Sequence, residues 1–192
     1  TLDLLAVLLG GATVLMPIFA KDILHAGPIG LGLLRAMPFV GALVMAVYLA
    51  HRPPMQRTGA SLFASVVVFG LATVGFGFST SLWLSLGLLF VLGAADNVSV
   101  VIRHTLVQQR TPDELRGRVG AVNSVFIECS NELGAFESGL VARLFGPVAS
   151  VVSGGIGTIL ITGAIAWAFP GLRRLGALQQ EAPREVDALP SK

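Results

Sequence analysis

The chain has 192 residues, 54% of them hydrophobic and only 12% charged, where a soluble globular domain carries roughly 25% charge. With a mean hydropathy of +0.79 its natural solvent is lipid. Thirteen Lys and Arg against eleven Asp and Glu leave a net charge of +2; the charges are scattered and not interleaved with aromatics, which excludes a nucleic-acid surface.

Six apolar segments follow in order. The first, 2–20, is uncharged from Leu4 to Ala20 and approaches the roughly 20 residues that cross about 30 Å of hydrocarbon; Pro17 predicts a bend late in it. It lacks the basic flank and small-residue cleavage site of a signal peptide, and a start at Thr1 carries the expectation that the sequence begins inside a longer protein. Lys21, Asp22, His25 and Gly27-Pro28 predict a turn. Segment two, 29–50, holds Arg35 and Pro38, and a basic loop, His51 to Arg57, ends it at Pro53-Pro54.

Thr58 to Ala95 is 38 residues without a charge, about right for two crossings, 59–78 and 82–104, joined through Ser79-Thr80-Ser81. Only Ser61, Ser65 and Thr73 break the apolar surface of the third segment, where a soluble helix would show a polar face. In the connector 108–117, Thr111 and Glu114 have capping-box spacing around Pro112 and predict a short helix on the membrane surface. Segments five and six, 118–143 and 148–169, complete the all-α domain, 1–172. Arg173-Arg174 stops the chain at the interface, and the tail 173–192 has a disordered composition.

Six crossings place both ends on one side. Ten Lys and Arg (Arg52, Arg57, Arg103, Arg110, Arg116, Arg118, Arg173, Arg174, Arg184 and Lys192) fall in loops and tail on that side, against Lys21 and Arg143 opposite. The bias predicts cytoplasmic termini.

Ionisable residues inside apolar helices are costly, and their default role is to line a polar path. At 1.5 Å per residue, Glu128 lies roughly 15 Å from the cytoplasmic entry of segment five, and Glu132 roughly 6 Å further. The two share a face with Ser124 and Asn131 close by. The chemistry expected of such a carboxyl is to take up a proton on one side and release it on the other. Asp96, Asn97, Ser99 and Arg103 belong to segment four; Asp96 and Asn97 suit a polar path and a hydrogen bond between packed helices equally. Arg35 lies at a depth similar to Glu132, so by depth the two can pair. Glu137 fits an outer-gate or a solvated position. Lys21, His25 and Arg143 fit the interface, Cys129 fits packing, and Ala135 with Gly139 and Ser150 with Gly154 fit close helix contact. The histidines His25, His51 and His104 have no metal-ligand spacing, no nucleophile and base pair is evident, and neither enzyme chemistry nor a cofactor is expected.

The connector QQRTPDELRGRVGAVNSVF, with ADNVSVVIRHTL before it, SNELGAFESG after it and the opening LDLLAVLLGGATVLMPIFAKDIL, resembles the C-terminal half of major facilitator transporters, in the branch of siderophore exporters and secretion permeases. The loop HRPPMQRTG resembles only a degraded form of that family's basic loop, without its Asp. The resemblance implies two inverted three-helix repeats, with segments one, two, four and five facing a central cavity and three and six facing lipid. Arg35 and Glu132 would then face each other across the cavity. It further implies a missing N-terminal six-helix half, a bacterial inner membrane, a small amphipathic substrate exported against protons, a pathway of Arg35, Asp96, Asn97, Glu128, Asn131 and Glu132, and a cytoplasmic gate of Arg110, Asp113, Glu114, Arg116 and Arg118. The alternative from another class is a membrane subunit or scaffold that transports nothing, or a truncated inactive fragment.

Overall fold

The computed structural model describes residues 13–52 and 58–168. Most of the first segment, residues 53–57 of the basic loop and the tail 173–192 lie outside them. All regular structure among the described residues is helical. A short α1 (Met16–Ile18) runs into a π-helical turn (Phe19–Ile23), followed by α2 (Gly27–Ala50), α3 (Thr58–Phe78), α4 (Leu82–Arg110), a 3-10 turn (Asp113–Leu115), α5 (Arg116–Phe145) and α6 (Pro147–Ala168). Among the described residues four helices are long and apolar enough to cross a membrane: α2, α3, Leu82–Thr105 of α4, and α6. At 30 residues α5 has the length, but Arg116, Arg118, Glu128, Glu132, Glu137 and Arg143 dilute its hydropathy. This is an integral membrane protein, and each backbone polar group must find its partner inside the helices.

Local chemistry explains the joints. Pro17 opens α1 and the bend beyond it is the π turn, so helical backbone continues through Lys21 and Asp22. The reversal falls instead at His25 (φ 47°) and Gly27 (φ 64°), and Pro28 supplies the preset φ of the first turn of α2. Between α3 and α4 a buried relay satisfies the turn: the Ser85 hydroxyl donates to Ser79 Oγ at 2.9 Å, and Ser79 Oγ donates to the Ser81 carbonyl at 3.1 Å. Gly146, at φ 92°, ends α5 with its N–H on the Ala142 carbonyl at 3.0 Å, and Pro147 starts α6.

The connector does not form the expected capping box. Thr111 is extended, and its hydroxyl donates back to the Val107 carbonyl at 2.7 Å, so it closes the C-terminus of α4. No side chain caps α5, whose N-cap is Leu115. The hydroxyl can satisfy either an unpaired carbonyl behind it or an amide ahead, and α4, which runs six residues past 104, takes it.

In space the helices succeed one another as α2, α4, α3, α6 and α5: α3 packs against both α4 and α6, while α5 packs chiefly on α6. The apolar core gathers Phe19, Leu34, Phe76, Leu86, Leu89 and Val151 where α1, α2, α3, α4 and α6 meet, with the Phe19 and Phe76 rings stacked at 4.7 Å between centroids. Glycines set the crossings. A Cβ on Gly41 would strike the Phe90 carbonyl, and one on Gly93 the Pro38 carbonyl, which fixes α2 against α4. A Cβ on Gly70 would lie 3.1 Å from the Gly155 carbonyl, and one on Gly155 2.9 Å from the Gly70 carbonyl, which fixes α3 against α6. Close backbone approach through small residues is how helices associate where lipid removes the hydrophobic drive.

Candidate polar pathway

The face of α5 that packs on α6 is made of small residues. Ser130, Gly134 and Ser138 are its buried positions, and the Ser150 hydroxyl of α6 donates to the Ser138 carbonyl at 2.9 Å. Gly139, expected at a contact with Ala135, has no atom within 4 Å of a Cβ position. One residue of helix turns it 100° away from Ser138, and that rotation removes it from the interface. Cys129 is exposed and fills no core position.

Glu128 and Glu132 lie on the side of α5 turned away from α6, both exposed, with Asn131 and Ser124 exposed beside them. One helical turn, roughly 6 Å, separates Ser124 from Glu128 and Glu128 from Glu132. The stripe thus runs along an unburied face of the 30-residue α5. No ionisable residue occurs in α6 (PVASVVSGGIGTILITGAIAWA), so α6 offers the acids no counter-ion. Arg35 is exposed on α2, away from the buried Gly30, Leu34 and Gly41. Among the described residues Arg35 and Glu132 form no ion pair.

On α4 the polar residues divide. Asp96 is exposed and held by a polar interaction. Asn97 turns its Oδ1 inward, and Ser99 is only 3% exposed; neither Asn97 Oδ1 nor Ser99 Oγ has a hydrogen-bond partner. Other buried hydroxyls satisfy themselves one turn back, as Thr73 does on Phe69, Thr158 on Gly154 and Thr162 on Thr158. Asn97 and Ser99 are therefore distinguished by their missing partners, a property that the spacing of polar residues cannot reveal. Arg103 donates from Nε to the Ser99 carbonyl at 3.3 Å.

Where α4 ends and α5 begins, a cleft of about 370 Å³ opens, lined by His104, Thr111, Arg116, Gly120, Asn123 and Ser124 among others. Arg116 donates from Nε to the Thr111 carbonyl at 3.3 Å and so ties the two helix ends together. Glu114 and Arg118 are exposed at the same elbow; Arg110 ends α4 and Asp113 begins the 3-10 turn. The sequence singles out Arg116 as a gate residue. It gives no sign of the cleft, because His104, Gly120 and Asn123 acquire a common wall only when the elbow folds.

Comparison with known proteins gives a consistent answer. The profile of a family described as transmembrane secretion effector matches residues 6–189. The chain is similar to the enterobactin exporter EntS of Citrobacter koseri, 27% identical over 137 residues, which cover 71% of this chain and 33% of that protein. It is also similar to the uncharacterized MFS-type transporter YhjO of Bacillus subtilis, 25% identical over 128 residues, 67% of this chain and 30% of that one. The matches thus span about a third of the length of these curated relatives. No solved structure matches.

Proposed function

Because the chain belongs to the transmembrane secretion effector family of major facilitator transporters, we propose that it is the C-terminal six-helix half of a proton-coupled exporter of a small amphipathic molecule, siderophore-like or drug-like. The observation that carries the reading is the placement of Glu128 and Glu132. Two carboxylates one turn apart occupy the exposed side of α5, in a chain whose neighbouring helices are built for lipid. Charges so placed persist where water or cargo reaches them, and an N-terminal six-helix half facing them would enclose such a path.

Several further features support this arrangement. The third helix of each three-helix unit, α3 and α6, meets its counterpart through the reciprocal Gly70 and Gly155 contact, as expected of inverted repeats spanning 1–172 with 173–192 as a tail. The Lys and Arg bias favours cytoplasmic ends, and both relatives come from bacteria, which favours the inner membrane. Arg110, Asp113, Glu114, Arg116 and Arg118 form the cytoplasmic gate in this reading, with Arg35, Asp96, Asn97 and Asn131 joining the acids along the path. An exporter of enterobactin among the relatives makes a siderophore-like cargo the first to try.

Glu128→Gln tests the proposal. In the full-length protein this substitution is expected to abolish efflux driven by a proton gradient; undiminished efflux would reject the proton role.

A further inference from the structure

The cleft at the α4–α5 elbow and the acidic stripe of α5 share one residue. Ser124 lines the cleft and stands one turn, roughly 6 Å, below Glu128 on the same side of the helix. A gap of that length is bridged by a single water between hydroxyl and carboxylate. The geometry points to the cleft as a port through which cytoplasmic water reaches Glu128 and its proton leaves, an inference that rests on the transporter reading and names where the acid is discharged.

The lining suits this use. Thr111, Asn123 and Ser124 offer hydroxyl and amide groups that hold water, and His104 and Arg116 face the space from the two helices. The described lining residues include no carboxylate, and Glu128 is the first acid along α5 above them. Among the described residues, the charged groups of the path and port are Glu132 on its own helix, none on α6, Arg116 and His104 at the port, Asp96 and Arg103 on α4, and Arg35 on α2. Release is a simple exchange, in which protonated Glu128 gives its proton to a water in the cleft, forming hydronium and leaving the carboxylate.

A glycine provides the plug. Gly120 lines the cleft, and a Cβ there meets no atom within 4 Å, so a leucine at this position has room to start from the helix and narrows the opening. Gly117 is equally unobstructed and does not line the cleft. The experiment uses the protein at full natural length in inside-out vesicles, with Cys129→Ala and Glu128→Cys, probed from the cytoplasmic side with a small membrane-impermeant thiosulfonate. Glu128→Cys is expected to react, to lose that reactivity with Gly120→Leu and to keep it with Gly117→Leu; Val122→Cys, opposite Ser124 on α5, is expected not to react. Undiminished reaction with Gly120→Leu overturns the port. So does an unreactive Glu128→Cys when Arg118→Cys reacts from the same side. If Arg118→Cys is itself unreactive there, the orientation behind the transporter reading fails instead.

Discussion

The backbone carbonyl of Pro38 occupies the place where Gly93 would carry a side chain. Proline 38 sits inside α2 and lacks the N–H that would bind the Leu34 carbonyl, so the helix tolerates distortion here, and α4 answers with a residue that has no Cβ. Gly93→Ala is expected to cost about 1–3 kcal/mol through overpacking. Gly87→Ala on the same helix, where a Cβ meets nothing within 4 Å, is expected to be neutral or stabilising, since alanine favours helix. Thermal unfolding in detergent compares the two, and equal midpoints would refute the close crossing.

Gly70 and Gly155 form one contact seen from two sides. Each single change to alanine is expected to separate α3 from α6 and destabilise the protein. The double mutant is expected to cost less than the two singles added, because a crossing already opened admits the second methyl. A double-mutant cycle on the unfolding midpoint measures the difference; strict additivity would mean that the helices do not meet here.

Buried polar atoms without partners are expensive, at about 1–3 kcal/mol each. Asn97→Leu removes such an atom, Oδ1, while keeping the shape of the side chain. The expected outcome is a higher melting temperature together with loss of transport. A variant that melts lower and transports normally would show that Asn97 serves packing alone.

The hydroxyl of Ser150 holds α6 to α5 through the Ser138 carbonyl at 2.9 Å. Hydrogen bonds between membrane helices average about 0.6 kcal/mol, so Ser150→Ala is expected to lower stability by about that much. Ser153→Ala, whose hydroxyl bonds within its own helix to Ser150, is the control for a change without an interhelical bond.

Topology follows from charge and is checked directly. With Cys129→Ala as background, Arg52→Cys is expected to react with an impermeant maleimide from the cytoplasmic face and Lys21→Cys from the opposite face. Reversal of the two would invert the orientation of the entire chain.

Composition and the order of apolar segments were enough to establish a helical membrane protein and to single out Glu128, Glu132 and the basic elbow, while the resemblance of the connector and its flanks pointed to the major facilitator type. Uncharged length and the cost of charge in lipid act locally, residue by residue, so they are legible before folding. Which face a helix buries depends on its neighbours. The tertiary structure alone decided that α5 packs through Ser130, Gly134 and Ser138 and leaves both acids outward, that Cys129 is exposed and a Cβ on Gly139 would meet open space, and that Asn97 Oδ1 and Ser99 Oγ are buried without a hydrogen-bond partner. It also turned Thr111 backward onto α4, because a hydroxyl with two possible partners takes the one that the packed helices bring within reach.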